Sequence, residues 1–169
     1  PERQGMVVVR SQRNRSLNRL IAELRGIRGM VAIDHRRAVE IVLPKLRKNG
    51  VTAFLVDHNT SRKEAVFLPF LEDTAAVNMG PANSALRTNA AVYPVFLPRH
   101  GQGDHILQLL PPLHTDALEG PRHVRIIPAA TFYTVAAAAS VQLYPDLWFW
   151  LTRLRHTCEQ ASTAHQHYA

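Results

Sequence analysis

The chain has 169 residues, 46% of them hydrophobic and 20% charged, a composition that fits one folded domain with a single core and excludes a disordered polymer. Its net charge of +7 favours an anionic partner: a phosphate-bearing substrate, an acidic lipid, an acidic protein or a nucleic acid. The lone Cys158 excludes an internal disulfide and any multi-thiolate metal site, and suits a reducing compartment.

Pro1-Glu2-Arg3-Gln4-Gly5 runs directly into Met6–Val9, an apolar run far too short for the core of a signal peptide and read as a strand. A strand so near the first residue, with no initiating Met, sets the expectation of a longer parent chain. Arg10 ends that strand and a polar, turn-prone connection follows. From Ser16, read as an N-cap, Leu17, Leu20, Ile21 and Leu24 recur at helical spacing up to Gly26. Met30–Ile33 reads as a second strand. Asp34 caps a further helix whose Ala38, Ile41, Val42 and Leu46 share a face, with a kink at Pro44 and an end at Asn49-Gly50. Val51–Val56 is a continuous apolar run, as in a strand buried on both faces. Its end delivers Asp57 and His58 to the rim of a sheet, where open α/β folds bind ligands.

Val66–Leu71 reads as a strand and Asn78–Leu86 as a helix entered through Gly80-Pro81. Ala91–Leu97 is strand-like, with Pro94 pushing it to an edge, and Gly101–Asp104 turns it back into His105–Leu110. Pro111-Pro112 ends that strand, and a loop runs to about Pro128. A helix follows to Tyr144, and a terminal aromatic helix opens at Pro145. The Ala-rich stretch Ile126–Leu143 is marginal against the ~20 strongly apolar residues of a membrane-spanning helix, so a buried or interfacial helix is expected. Strands alternating with helices give an α/β class with a mixed central sheet flanked by helices.

Several residue groups could carry chemistry. His35 and Glu40 stand five apart, resembling the His-x-x-x-x-acid box of glycerolipid acyltransferases. On a helix, however, five residues turn about 140° off one face, which points to two surface polar residues. His100, His105 and His114 lack the spacing of a zinc site, so no metal is expected. Dinucleotide, NTP and α/β-hydrolase glycine motifs are absent. Arg10, Arg13, Arg15, Arg19, Arg25 and Arg28 make the first quarter basic, and Arg suits bidentate phosphate contact. Arg19, Arg25 and Arg28 read as a solvated helix face, while Arg10 is held by the end of a strand. Asp57-His58 has three readings: a cap with a satisfied rim histidine, a metal pair, or a group that orients an active site. Adjacent strand residues point to opposite faces, which argues against a self-sufficient acid-base pair.

Read together, these segments resemble the late acyltransferases of lipid A biosynthesis, within the lysophospholipid acyltransferase superfamily. Arg10-Ser-Gln-Arg-Asn14 with Leu17 and Leu20-Ile21 resembles that family's Arg-Pro-x-x-Asn-Pro turn and helix. Leu46-Arg-Lys-Asn-Gly50, Val56-Asp-His-Asn59, Val66-Phe-Leu-Pro-Phe70 and Ala91-Val-Tyr-Pro-Val-Phe96 with Arg99 are similar to its next landmarks. Pro111-Pro112-Leu113 and Pro145-Asp-Leu-Trp-Phe-Trp-Leu-Thr-Arg153 resemble its Pro-Pro strand end and its tail. Order and spacing agree over about residues 7–156.

The resemblance implies a glycerolipid-acyltransferase-like fold and transfer of a fatty acyl group from acyl carrier protein, or from acyl-CoA, to a hydroxyl of a lipid A precursor or related glycolipid. The setting it implies is the cytoplasmic face of the inner membrane, with no cofactor and no metal. It implies that residues 1–156 are the C-terminal part of the acyltransferase domain, that residues 157–169 are a flexible tail, and that the family's His-x-x-x-x-Asp/Glu box lies upstream. By the same likeness, Arg10, Asp57 and His58 are candidate catalytic residues. Arg13, Asn14, Arg62, Lys63 and Arg99 are candidate substrate-binding residues. Trp148, Phe149 and Trp150 suit either a membrane interface or a packed terminal helix.

Two further classes compete. A lipid- or carrier-binding domain without catalysis fits a chain that lacks the upstream box. A basic nucleic-acid module calls for Lys and Arg interleaved with exposed aromatics, yet the six Phe and two Trp sit mostly in apolar runs, so nucleic acid is not the expected partner.

Overall fold

A computed structural model describes residues 5–11, 14–27, 29–58 and 60–148. The chain divides into two compact units, Pro1–Leu55 and Val56–Ala169.

In the first unit, β1 (Met6–Val9), α1 (Arg15–Gly26), β2 (Val31–Asp34), α2 (Ala38–Arg47) and β3 (Thr52–Phe54) alternate. The strands form a parallel sheet in the order β2-β1-β3, with Met6 level with both Val31 and Thr52. The cap of α1 is Asn14, not Ser16: its backbone is extended and its Oδ1 accepts from Leu17 N at 3.1 Å. Asp34 does cap, but what it caps is a short 3-10 turn, His35–Arg37, that leads into α2. Pro44 sits inside α2. The helix stops as expected at Asn49-Gly50, where Asn49 takes a positive φ of 56° and Gly50 N donates to Lys45 O at 2.9 Å. A side chain at Gly50 has no room, since its Cβ would lie 2.7 Å from the Lys45 carbonyl oxygen. Val7, Ile33, Val42 and Leu43 are buried.

One expectation about this unit fails. The run Val51–Val56 contributes only the three-residue β3, at an edge of its sheet, with Val51 and Leu55 exposed. A continuous apolar run marks a strand, but its composition does not say whether the strand has one neighbour or two.

In the second unit, β4 (Ala65–Phe70) pairs with β5 (Asp73–Asn78) in a six-residue antiparallel ladder. The tight turn at Leu71-Glu72 carries a positive φ of 56° at Leu71, a residue with no turn preference, and so β5 left no mark in the sequence. Next come α3 (Gly80–Thr88), a ribbon of β6 (Val95–Phe96), β7 (Arg99–His100), β8 (Asp104–His105) and β9 (Gln108–Leu109), then α4 (Arg122–Leu143). The hairpin turn at Gly101–Asp104 is where it was expected, although the strands that flank it are shorter than read. Helix α4 starts six residues before Pro128, which lies inside it. Only a 3-10 turn, Pro145–Leu147, follows, and the rest of the expected aromatic helix lies outside the described residues.

The core of this unit joins Leu68, Ala75, Val77, Ala82, Leu86, Ala129, Ala130 and Tyr133. Its alanines let α3, α4 and the β4-β5 pair approach closely. Tyr133 is 5% exposed, and its hydroxyl donates to the Asn78 carbonyl at 2.5 Å, satisfying the polar atom that an aromatic brings into a core. Burial pushes that hydroxyl far above its ordinary pKa, against a weaker lowering by backbone hydrogen bonding, so it stays a neutral donor. By length and composition α4 could cross a membrane; one face, with Ala129, Ala130, Tyr133, Thr134 and Val141, is buried within the protein, while Ile127, Val135 and Leu143 are exposed.

The class is therefore α/β. The single mixed sheet expected from the sequence is replaced, among the described residues, by one parallel sheet of three strands and three antiparallel pairs. Apolar patterning specifies that a segment is a strand, whereas its partner is chosen by long-range geometry.

Candidate functional site at the carboxyl edge of the parallel sheet

Parallel strands in register bring their carboxyl ends to one edge. Here Val9 is level with Asp34, so Arg10 and Ser11 leave β1 beside the point where Asp34 and His35 leave β2. β1 lies between β2 and β3, and the carboxyl end of such a central parallel strand is where open α/β folds place their ligands.

Asp34 is the hub of this edge. Its Oδ2 accepts from Ser11 Oγ in a short hydrogen bond, and its Oδ1 accepts from Arg36 N at 2.9 Å. These two donations, Ser11 first, hold the carboxyl below its usual range against a weaker raising by desolvation, with the charges of His35 and Arg36 adding to the lowering. His35 Nδ1 lies 3.5 Å from Asp34 Oδ1, too long for a good hydrogen bond, and this nitrogen is shielded from solvent with no hydrogen-bond partner among the described residues. No hydrogen bond or ion pair joins His35 to Glu40. The first sits in the 3-10 turn and the second in the first turn of α2, so the two do not share one α-helix and the separation of about 140° expected on a single helix does not describe them.

Arg10 is exposed at the end of β1 and forms no ion pair among the described residues. Asn14 spends its side-chain oxygen on the cap of α1. Arg13 lies outside the described residues, as do Arg28, Asn59, Phe149, Trp150 and the expected tail over 157–169.

The remaining candidates belong to the second unit. Asp57 and His58 occupy a bend past the end of β3, so the alternation of a strand does not separate them: Asp57 Oδ1 and His58 Nδ1 approach to 4.0 Å. Donation from the His58 ring lowers the Asp57 carboxyl below its usual range, against desolvation that raises it. At 4.0 Å that donation is long, and with side chains 65% and 46% exposed the pair is a solvent-screened one, worth about 0–1 kcal/mol. Arg62 and Lys63 lie on the 3-10 turn Arg62–Glu64, and the Arg62 guanidinium stands 5.9 Å from the centre of the Phe67 ring. Arg99 is exposed on β7, opposite His105, with no ion-pair partner among the described residues. Trp148 packs on Phe70 with ring centres 5.7 Å apart, which is the packed reading of that residue. Among the described residues no three His, Cys, Asp or Glu side chains cluster in a way that could hold a metal.

Sequence reasoning treated Ser11 as loop and Asp34 as a cap, and missed that they bond to each other. They are 23 residues apart, and only the parallel register of β1 and β2 joins them.

These features describe an α/β protein whose parallel sheet edge carries Arg10, without an ion-pair partner among the described residues, next to the hydrogen-bonded Asp34 carboxylate. The family model for bacterial lipid A biosynthesis acyltransferase matches residues 2–157, nearly the whole chain. The protein belongs to that family and thereby to the acyltransferases. No curated protein sequence matches it.

Proposed function

We propose that this protein is the C-terminal part of an acyltransferase that moves a fatty acyl chain from acyl carrier protein, or from acyl-CoA, to a hydroxyl of a lipid A precursor or related glycolipid. The observation that carries this reading is the family match over residues 2–157. In the transfer, the acceptor oxygen attacks the thioester carbonyl carbon, a base takes the hydroxyl proton, the C–S bond breaks and the sulfur leaves as thiolate, which the same proton then neutralises. Negative charge develops on the carbonyl oxygen.

Arg10 is the group we assign to that oxyanion or to a substrate phosphate, because a preorganised cation stabilises charge as it forms. Asp57, with His58 beside it, gives electrostatic support to the base. The base itself we assign to a His-x-x-x-x-Asp/Glu box outside residues 1–169, since no hydrogen bond or ion pair joins His35 to Glu40. Residues 1–156 belong to the protein's acyltransferase domain. Arg13, Asn14, Arg62, Lys63 and Arg99 contribute contacts to donor or acceptor phosphates. The fold is of the glycerolipid-acyltransferase kind, and the working place is the cytoplasmic face of the inner membrane, which suits the charge of +7.

The test is acyl transfer by the full-length protein from acyl carrier protein and from acyl-CoA. Arg10→Ala is expected to lower kcat about 10²–10³-fold, the usual cost of losing one oxyanion donor, and Asp57→Asn about tenfold or more, both with unchanged circular dichroism. Wild-type rates in both variants would refute the assigned roles, and absence of transfer by the wild type from either donor would favour a lipid- or carrier-binding domain without catalysis.

A further inference from the structure

In the ribbon β6–β9, Val95 pairs with Leu109, Phe96 with Gln108, Arg99 with His105 and His100 with Asp104. Ile106 N donates to Pro98 O at 3.0 Å, so one register runs unbroken and sets Leu97 opposite Leu107. Cross-strand partners share a face and successive residues alternate, which sorts the ribbon into two faces.

One face turns inward. Away from the tip, Pro94 and Pro98 are buried, Phe96 and Gln108 are half-buried, and Gln108 Nε2 donates to Tyr144 Oη at 3.2 Å, whereas Ile106, His100 and Asp104 on the same register nearer the tip are exposed. The other face carries Val95, Leu109, Leu97 and Leu107, and these are 50%, 61%, 59% and 68% exposed. It ends toward the tip in Arg99 and His105, both exposed, and carries no carboxylate. The only acidic residue of the ribbon, Asp104, is on the inward-facing register. An antiparallel ribbon with one solvated side ordinarily turns its apolar face in and its polar face out. Here four aliphatic side chains form an outward ladder with a cationic end.

We propose that this outer face of the 95–109 ribbon is a membrane-docking surface, which seats its aliphatic ladder in the interfacial region of a bilayer and sets Arg99 and His105 among anionic headgroups. Charge selects this occupant. The Arg99 guanidinium complements an acidic lipid surface and opposes the same group on a second copy, and the molecule's +7 acts in the same direction. The inference does not depend on the transfer reaction, since it requires no acyl donor.

The test uses the 169-residue chain with vesicles of phosphatidylcholine alone or mixed with phosphatidylglycerol, read by co-sedimentation. The wild type is expected to bind the mixed vesicles more tightly than the neutral ones. Leu97→Ser with Leu107→Ser is expected to weaken binding about tenfold or more, given the apolar area removed from the docking face, while circular dichroism is unchanged because both side chains project into solvent. Arg99→Glu is expected to weaken binding to the mixed vesicles only. A Leu107→Trp variant reports position directly, and its added fluorescence is expected to be quenched by brominated lipid. Failure of the wild type to bind, full binding by the double Ser variant, or an unquenched Leu107→Trp signal would each overturn the proposal. So would a wild type that ignores vesicles and forms a concentration-dependent dimer that the double variant loses.

Discussion

Asp34 shows how much one side chain takes on when two strands end together. It accepts from Ser11 and from the Arg36 backbone, and its lowered pKa follows from those donors. A group whose folded pKa lies below its unfolded value of 3.8 contributes stability that is present above that value and lost as pH falls through the folded pKa. We therefore expect Asp34→Ala to cost about 1 kcal/mol at pH 7, near the middle of the range for a lost N-cap. The gap to the wild type should narrow as pH is lowered through 4 and below, measured by urea unfolding at several pH values. A gap that stays constant down to pH 2 would refute the electrostatic share. The capping role was legible, because Asp ahead of an apolar-periodic segment is a local signal. The bond to Ser11 was not, because it is a contact between strands. Asp57 and His58 teach the converse. Their separation was inferred from strand alternation, and the bend that sets their side chains 4.0 Å apart leaves no mark in residue type.

Elements were most legible where local stereochemistry determines them. The end of α2 is such a case: Asn tolerates a positive φ, and Gly at the following position accepts the close approach of the Lys45 carbonyl. Gly50→Ala places a Cβ 2.7 Å from that oxygen and 2.5 Å from Lys45 Cγ, and is expected to destabilise the protein by roughly 1–3 kcal/mol, read as a lowered urea midpoint with unchanged slope. Stability equal to the wild type would show that this turn relaxes freely. Helix α1 was found by its leucine spacing, with the cap misassigned by two residues because Asn14 and Ser16 are both good cap residues. Strand β5 was missed because its turn is made by Leu71 and Glu72, and the run around β3 was read as buried on both faces because an apolar composition does not say how much of a strand the rest of the chain covers.

For the molecule as a whole, the charge of +7 implies an electrostatic share in binding any acidic partner. Raising salt from about 0.05 M to about 0.5 M shortens the screening length from roughly 14 Å to roughly 4 Å, so affinity for acyl carrier protein, one of the two donors we propose, should fall by about tenfold in calorimetric titration. A salt-independent affinity would remove charge from the account. The family was legible because seven short landmarks keep order and spacing along one line, and the family match covers residues 2–157. The sequence by itself determined the α/β class, the C-terminal ends of α1, α2 and α4, the basic character and the family, since these depend on neighbouring residues or on composition. Only the tertiary structure decided that β1 lies between β2 and β3, that Ser11 meets Asp34, and that the 95–109 ribbon turns its aliphatic ladder outward. Each of those depends on which distant segment a strand pairs with, or which face of it the rest of the chain covers, and alternation along one strand is the same whichever face is buried.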